Sequence, residues 1–453
     1  MRPDSLNDMK VYFLVLALTA GCSSLCGQAR LEDSIKIRLQ RAIATFKDKY
    51  QCPGISVAIV HDSDIVYSLA LGYTDLENKT AATIDAKFPI MSITKVFTAT
   101  MLMQLRERGI VRLEDDVRRY VPEYKVLPSA TLLQLATHAA GLPRNSPADI
   151  NFTTTFDARM LSGGDQPIKG FCTNKDLLHS LQYIKLEYPP YDYLHPNDRH
   201  YSNLGYEVLG IALERAAKEE YTSYVLRHIC RPLGMTHTGF MNEPGMVAHI
   251  AKGYRSHDGQ QDIVPFFELN SGIYAGGLYS TAGDLCRFIS SQWEGERNAM
   301  MRQLKIGWKP AFPYVLHEGA FPGFRSIVVL DPATRVGWAI LTNAQDVDFN
   351  GINGVLAETL SMIYNIRVKT DLPHYTGLYE LPGGYGALTI SMKGDSLYSD
   401  YLQGAAMVPD GDRRWKVTGS NGYSIGYEFI ADPAGRITAV RMGQFVWYKK
   451  ATP

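Results

Sequence analysis

The sequence predicts an α+β fold: an antiparallel sheet flanked by helices, a helical region between its two ends, and a small all-β, barrel-like C-terminal domain. Three observations predict it. Two β-hairpin patterns, near residues 55–71 and 327–342, stand at opposite ends of a long segment whose interior reads largely as helices. From Tyr375 onward the chain changes to short alternating runs, Ala387 to Met392, Ser396 to Leu402, Trp415 to Thr418, Tyr423 to Ile430 and Ile437 to Tyr448, separated by Gly and Asp turns. At 453 residues the chain is also too long for one ordinary core, so one large and one small domain are expected.

Lys10 precedes the apolar run Val11 to Ala20 and then small residues, the layout of an export signal and too short for a membrane span. Met9-Lys10 makes a better signal start than Met1, which puts residues 1–8 upstream of it. Two exits compete. Gly27-Gln28-Ala29 fits cleavage before Arg30, whereas Thr19-Ala20-Gly21-Cys22 resembles a lipoprotein box ending before Cys22. The expected organisation is an export signal over 1–29, a main domain over 30–368 and a β-rich domain over 369–453. The protein is expected in the periplasm or outside the cell, touching a membrane only through an N-terminal lipid anchor.

Lys+Arg and Asp+Glu both total 46, and the absence of a dense basic run argues against a nucleic-acid partner. Cys52, Cys172, Cys230 and Cys286 lie far apart, and the eleven histidines contain no HExxH, so neither a metal nor another cofactor is expected.

Taken in order, Arg30 to Tyr50 reads as a helix with an apolar stripe at Ile35, Leu39, Ile43 and Phe46, broken by Pro53-Gly54. Ile55 to His61 and Ile65 to Leu71 form a hairpin around Asp62-Ser63-Asp64. Met91 to Ile110 reads as one helix, with Val96, Ala99, Leu102, Met103 and Leu105 on its apolar side and Gly109 as its stop. It opens with Ser92 and carries Lys95 one turn later. Residues three apart share a helix face about 5 to 6 Å between Cβ atoms, so the lysine can reach the hydroxyl. An amine kept neutral by burial and nearby positive charge can take a serine proton and make the oxygen a nucleophile. A chain of this length carries about one SxxK by chance, so the pair gains weight only from what surrounds it.

Thr131-Leu132-Leu133-Gln134-Leu135-Ala136-Thr137-His138-Ala139-Ala140-Gly141-Leu142-Pro143-Arg144 follows. With the preceding phrases after Gly109, it is similar to the region after the catalytic serine in penicillin-recognising serine hydrolases related to class C β-lactamases. Tyr201-Ser202-Asn203, the chain's one YxN, opens a helix, and the phrase running to Arg231-Pro232-Leu233-Gly234-Met235 looks like the second motif of that family. The resemblance implies a β-lactamase/penicillin-binding-protein-like fold over roughly residues 35–365. It resembles those members that carry an appended β-domain, whose task would be packing or shaping the cleft.

Tyr201 has an ordinary pKa near ~10, so as a phenolate it would need the positive charge of Lys95; it reads as a proton relay between Ser92 and a leaving group. Asn203 can donate to a substrate carbonyl and accept from its amide. His138 and Gly276 to Leu285 read as structure, with Ser280-Thr281 capping the helix that Asp284 enters. The polar, aromatic stretch from Asn145 to Tyr193, with Tyr188-Pro189-Pro190-Tyr191-Asp192-Tyr193, reads as a rim of the substrate cleft.

The third motif is His317-Glu318-Gly319-Ala320, before the hairpin around Asp331-Pro332-Ala333-Thr334. The resemblance implies that Gly319 lets a substrate backbone approach and that the amides of Ala320 and Ser92 form an oxyanion hole. Where β-lactamases have Lys-Thr-Gly, this chain has His-Glu-Gly. A histidine near its ordinary pKa of ~6.5 is largely neutral at pH 7, and Glu318, if turned to the cleft, would repel a carboxylate. The resemblance thus implies a serine hydrolase of small-molecule or peptide substrates, acting by an acyl-enzyme as a peptidase, amidase or esterase. The alternatives are a true β-lactamase, or a sensor that acylates without turnover.

Overall fold

The computed structural model describes residues 31–149, 172–191, 200–257, 259–311, 314–364, 375–384, 386–393, 396–401, 406–411, 414–418, 424–432, 436–443 and 445–450. The expected export signal, Cys22, the 368/369 boundary and Asp192-Tyr193 lie outside them. Leu31 to Pro453 forms one compact unit.

A seven-stranded antiparallel sheet organises the main part, in the order Thr80–Ala81, Asp64–Asp75, Gly54–His61, Val336–Thr342, Phe324–Asp331, Tyr314–Phe321, Lys309–Ala311. The two hairpins expected at opposite ends of the segment meet at its centre, with Ile55 opposite Thr342 and His61 opposite Val336. Both central strands are covered on both faces, which is why they read as unbroken apolar runs. Ile55, Val57 and Ile59 face a cluster with Leu39, Ile43 and Phe46 of the first helix (Asp33–Lys49) and Leu356 and Leu360 of the last (Asn350–Tyr364). Ala58 and Val60 turn the other way, into the larger core with Leu102, Leu209 and Leu285.

The predicted helix from Met91 to Ile110 is two elements. Met91–Ile93 is a 3-10 turn and Thr94–Glu107 the α-helix, after which Gly109 adopts φ +67°. Met91 has φ +48°, a left-handed conformation that an unbranched side chain tolerates but a regular helix does not, so the helix cannot extend back through this residue.

The C-terminal residues form a closed barrel of eight strands in sequence order, Gly377–Glu380 pairing with Phe445–Lys449 to complete it. Tyr379, Trp415, Tyr427, Phe429 and Trp447 pack its own interior cluster. Two details differ from the pattern expected of the sequence. The run Ile437 to Tyr448 is two strands, split at Gly443 with φ +59°, and Ala406–Gly411 is an additional strand. That additional strand approaches Lys309–Ala311 at the edge of the large sheet.

Candidate active site

Ser92 sits in the turn ahead of the Thr94–Glu107 helix, held by a neighbour in an uncommon conformation. Met91 is buried among Met241, Val264, Phe267, Leu269 and Tyr279, and that packing fixes its positive φ. Lys95 Nζ lies 3.0 Å from Ser92 Oγ and donates to the Ala275 carbonyl at 2.8 Å. Lys95 is fully buried. Burial pushes its pKa well below the ordinary 10.5; the Glu207 carboxylate opposes that shift, while Arg144 and Lys309 reinforce it.

Lys95 Nζ stands 4.9 Å from the centre of the Tyr201 ring. Burial raises the Tyr201 phenol above its ordinary 10.0, opposed by the Ser92 side chain and by Arg144. His138 locks the turn that carries this tyrosine. Its Nδ1 accepts from the Ser202 amide at 3.1 Å, its ring lies 4.4 Å from that of Tyr201, and Tyr206 approaches at 5.1 Å. Burial, with Lys95 and Lys309 nearby, lowers the His138 pKa to about 3, so the acceptor stays unprotonated. Ser202 then caps the Asn203–Ala217 helix, its Oγ accepting from the Gly205 amide at 2.9 Å.

Asn203 begins that helix. Its side-chain amide donates to Asn145 Oδ1 at 2.8 Å and its backbone amide to the Arg144 carbonyl at 2.7 Å. The end of the Thr131 to Arg144 phrase therefore meets the YxN turn in space.

Tyr314–Phe321 brings in the third group. This strand packs against the Met91–Ile93 turn, and Lys309–Ala311 pairs with it only over Tyr314 to Leu316. From His317 to Phe321 the outer edge has no partner strand among the described residues. Phe321 and Phe324 close the hairpin around Pro322-Gly323, so pairs bonded to the inner strand alternate from Phe321, and the backbone groups of Ala320 and Glu318 face the open edge. The His317 ring agrees with this, since its Nδ1 lies 2.8 Å from the Glu318 carbonyl and must donate to it. Its Nε2 is then left as an acceptor. Burial drives the His317 pKa well below 6.5, helped by Lys309 and Lys95.

The structure adds two facts about this strand. Glu318 alternates with buried His317 and is exposed, on the face of the strand away from His317, so it does not line the Ser92 side. Gly319 is required by the protein's own backbone. A Cβ there would lie 2.2 Å from the Ile90 carbonyl oxygen and 2.2 Å from Ser326 Oγ, which itself donates to Ile90 at 3.0 Å.

The structure also adds residues that sequence reasoning missed. Lys309 Nζ and the Arg144 guanidinium each lie 5.2 Å from the Tyr201 ring centre, and neither is paired with a carboxylate among the described residues. Arg144 closes a phrase the sequence had flagged. Lys309 carried no signal, because its place depends on pairing opposite Leu316. Among the described residues no group of His, Cys, Asp and Glu could hold a metal ion.

A family model described as Beta-lactamase matches residues 39–361. Over 242 residues the chain is 34% identical to Beta-lactamase-like protein 2 of Dictyostelium discoideum, covering 51% of this chain and 41% of that protein. Over 348 residues it is 27% identical to Protein flp of Staphylococcus aureus, covering 69% and 64%. The chain thus spans less than two thirds of either relative's length. The octameric penicillin-binding protein homologue from Pyrococcus abyssi superposes with TM-score 0.59 at 23% identity, over 92% of this chain and 100% of that one. A beta-lactamase/D-alanine carboxypeptidase from Pseudomonas syringae gives TM-score 0.59 at 17% identity, over 73% and 99%. At these identities the likeness is one of fold. The wider coverage in the first case extends into the C-terminal barrel, which is longer than the part left uncovered.

Proposed function

The chain belongs to the Beta-lactamase family, and on that premise we propose that it is a serine hydrolase that cleaves amide or ester bonds through an acyl-enzyme on Ser92. The observation that carries this reading is the buried Lys95 amine 3.0 Å from Ser92 Oγ.

A lysine pushed down and a phenol pushed up leave the neutral amine as the base and the tyrosine as a protonated relay. Lys95 takes the Ser92 proton as the Oγ electron pair bonds the substrate carbonyl carbon. The carbonyl pair moves onto oxygen, held by the amides of Ser92 and Ala320. Such a preorganised donor contributes on the order of 3 kcal/mol to the barrier. Collapse breaks the bond to the leaving group, which receives the Lys95 proton through Tyr201. Water then attacks the ester carbonyl, its proton passing through the same pair to Ser92 Oγ as the acyl–Oγ bond breaks and the carboxylic acid leaves. Asn203 orients the acyl group, and a peptide-like substrate can lie along the open edge from His317 to Phe321.

Lys309 and Arg144 supply the fixed positive charge that a histidine at 317 does not. We therefore infer a substrate with a carboxylate near the scissile bond, which favours a peptidase of the carboxypeptidase type, as in the Pseudomonas syringae neighbour's description. The barrel strand beside Lys309–Ala311 helps shape that side of the cleft. Export through the segment before Arg30 remains part of the proposal. A fluorophosphonate probe should add one adduct to the wild type and none to Ser92→Ala, and equal labelling of the two would sink the assignment. Intact mass after mixing with penicillin separates a transient adduct with product from the persistent adduct of a sensor.

A further inference from the structure

The most buried charged partner of this site lies outside every motif. Glu207 is 1% exposed, one turn along the Asn203–Ala217 helix from Asn203. Asn203, Glu207, Gly210 and Glu214 share one helix face. That face runs along Tyr274 and Ala275. A Cβ on Gly210 would strike the Tyr274 ring at 2.2 Å, and the Tyr274 hydroxyl approaches Glu214 at 3.4 Å. Ala275 in turn supplies the carbonyl that holds Lys95, and Thr98, on the lysine's own helix, donates to the Tyr274 carbonyl at 2.7 Å. The glutamate thus sits in the packed layer between its own helix, the Tyr274-Ala275 segment and the helix of Lys95. A carboxylate so far from solvent is costly unless a cation or hydrogen-bond donor answers it, and its removal from water strengthens whatever charge interaction it makes.

We propose that Glu207 is a positioning residue for proton transfer, its buried carboxylate stabilising the Lys95 ammonium that forms when Ser92 gives up its proton. The inference rests on the acyl-enzyme reading above. It answers a difficulty in that reading, because an amine fully buried beside other cations is easily kept neutral but is then a poor proton acceptor. The groups that face Lys95 are Ser92, Tyr201 and the Ala275 carbonyl, with Tyr206, His138, His317, Arg144 and Lys309 around them. Of the charged groups coupled to the lysine, Arg144 and Lys309 disfavour the ammonium and Glu207 favours it.

The test is the rate of fluorophosphonate labelling of Ser92 against pH, followed by intact mass, for the full chain and for Glu207→Gln and Glu207→Asp. Labelling needs the unprotonated lysine and rises with pH through its titration. Removing the carboxylate should move that rise to lower pH by about one unit, the size of shift a nearby opposite charge produces, and lower the plateau rate. Glu207→Asp keeps the charge at greater distance and should shift the rise in the same direction by less. A folded Glu207→Gln whose profile superimposes on the wild type overturns the proposal. Should Glu207→Gln fail to fold, an unmoved profile in Glu207→Asp overturns it equally. Absence of labelling in the wild type defeats the acyl-enzyme reading itself, and this proposal with it; labelling with an unmoved profile defeats only the role of Glu207.

Discussion

Gly319→Ala separates two explanations of the glycine beside the nucleophile. If the glycine serves only the approach of a substrate backbone, alanine leaves the free protein as stable as before and weakens substrate binding. The structure requires more. The added methyl would meet the Ile90 carbonyl oxygen at 2.2 Å and Ser326 Oγ at 2.2 Å, both far inside van der Waals contact. The hydroxyl can rotate away, but the carbonyl belongs to the backbone two residues before Ser92. The strand bearing Gly319 is fixed by seven register pairs to its inner neighbour, so the segment Ile90 to Ser92 must yield. Overpacking of this kind costs about 1–3 kcal/mol. A displacement of the nucleophile by roughly 1 Å costs on the order of 100-fold in rate. Thermal unfolding of the free protein and fluorophosphonate labelling of Ser92 read the two effects separately. Adding Ser326→Ala should restore at most the hydroxyl's share, because the carbonyl remains. A Gly319→Ala protein with wild-type melting temperature and labelling rate, and only a raised KM, would refute this reasoning.

Two further outcomes follow from the buried ionisable groups. Lys95→Met should abolish labelling and raise the melting temperature. The folded-state pKa of Lys95 lies well below its ordinary 10.5, so between those two pKa values unfolding takes up a proton that the native state excludes; methionine removes that term, and its advantage should vanish as pH rises towards 10.5. His138, lowered to about 3, should show no imidazole titration by NMR between pH 5 and 8. Its stability contribution should be lost as pH falls from about 6.5 towards 3, where the unfolded chain gains a proton first, and a His138 titrating near 6.5 would contradict the hydrogen bond to Ser202.

The parts of this fold legible in the sequence are those that local pattern dictates. Leu39, Ile43 and Phe46 announce a helix stripe, and the two hairpins announce strands, because burial on one or two faces leaves its period in the residues. The juxtaposition of Ser92 and Lys95 was legible because residues three apart share a helix face, and that of Tyr201 with them from its place in the YxN motif. Lys309, Glu207 and the reason for Gly319 were not. Lys309 reaches the site only because its short strand pairs opposite Leu316, and Glu207 reads locally as any helix glutamate until the Tyr274-Ala275 segment covers its face. For Gly319, the obstructing atom comes from more than two hundred residues earlier in the chain. Met91 is a similar case, since a methionine at φ +48° carries no local signal and is held by five apolar neighbours brought from elsewhere.

The cations around Tyr201 tie substrate charge to the strength of the base. In the free protein Arg144 and Lys309 both help keep Lys95 neutral. If they also receive a substrate carboxylate, that charge offsets theirs, and the pKa of Lys95 rises on binding. The lysine then becomes a better proton acceptor when an anionic substrate is in place, and it retains its neutral resting form otherwise. The sign gives a direct test. The rise of kcat/KM with pH reports Lys95 in the free enzyme, and the rise of kcat reports it in the complex. For a substrate with a free carboxylate, the kcat profile should lie at higher pH than the kcat/KM profile; for its amidated counterpart the two should coincide. Lys309→Met should narrow the separation for the anionic substrate and lower its kcat/KM on the order of tenfold, while leaving the amidated one within a factor of a few. Equal losses for both substrates would place Lys309 in the general architecture of the cleft and remove it from substrate recognition.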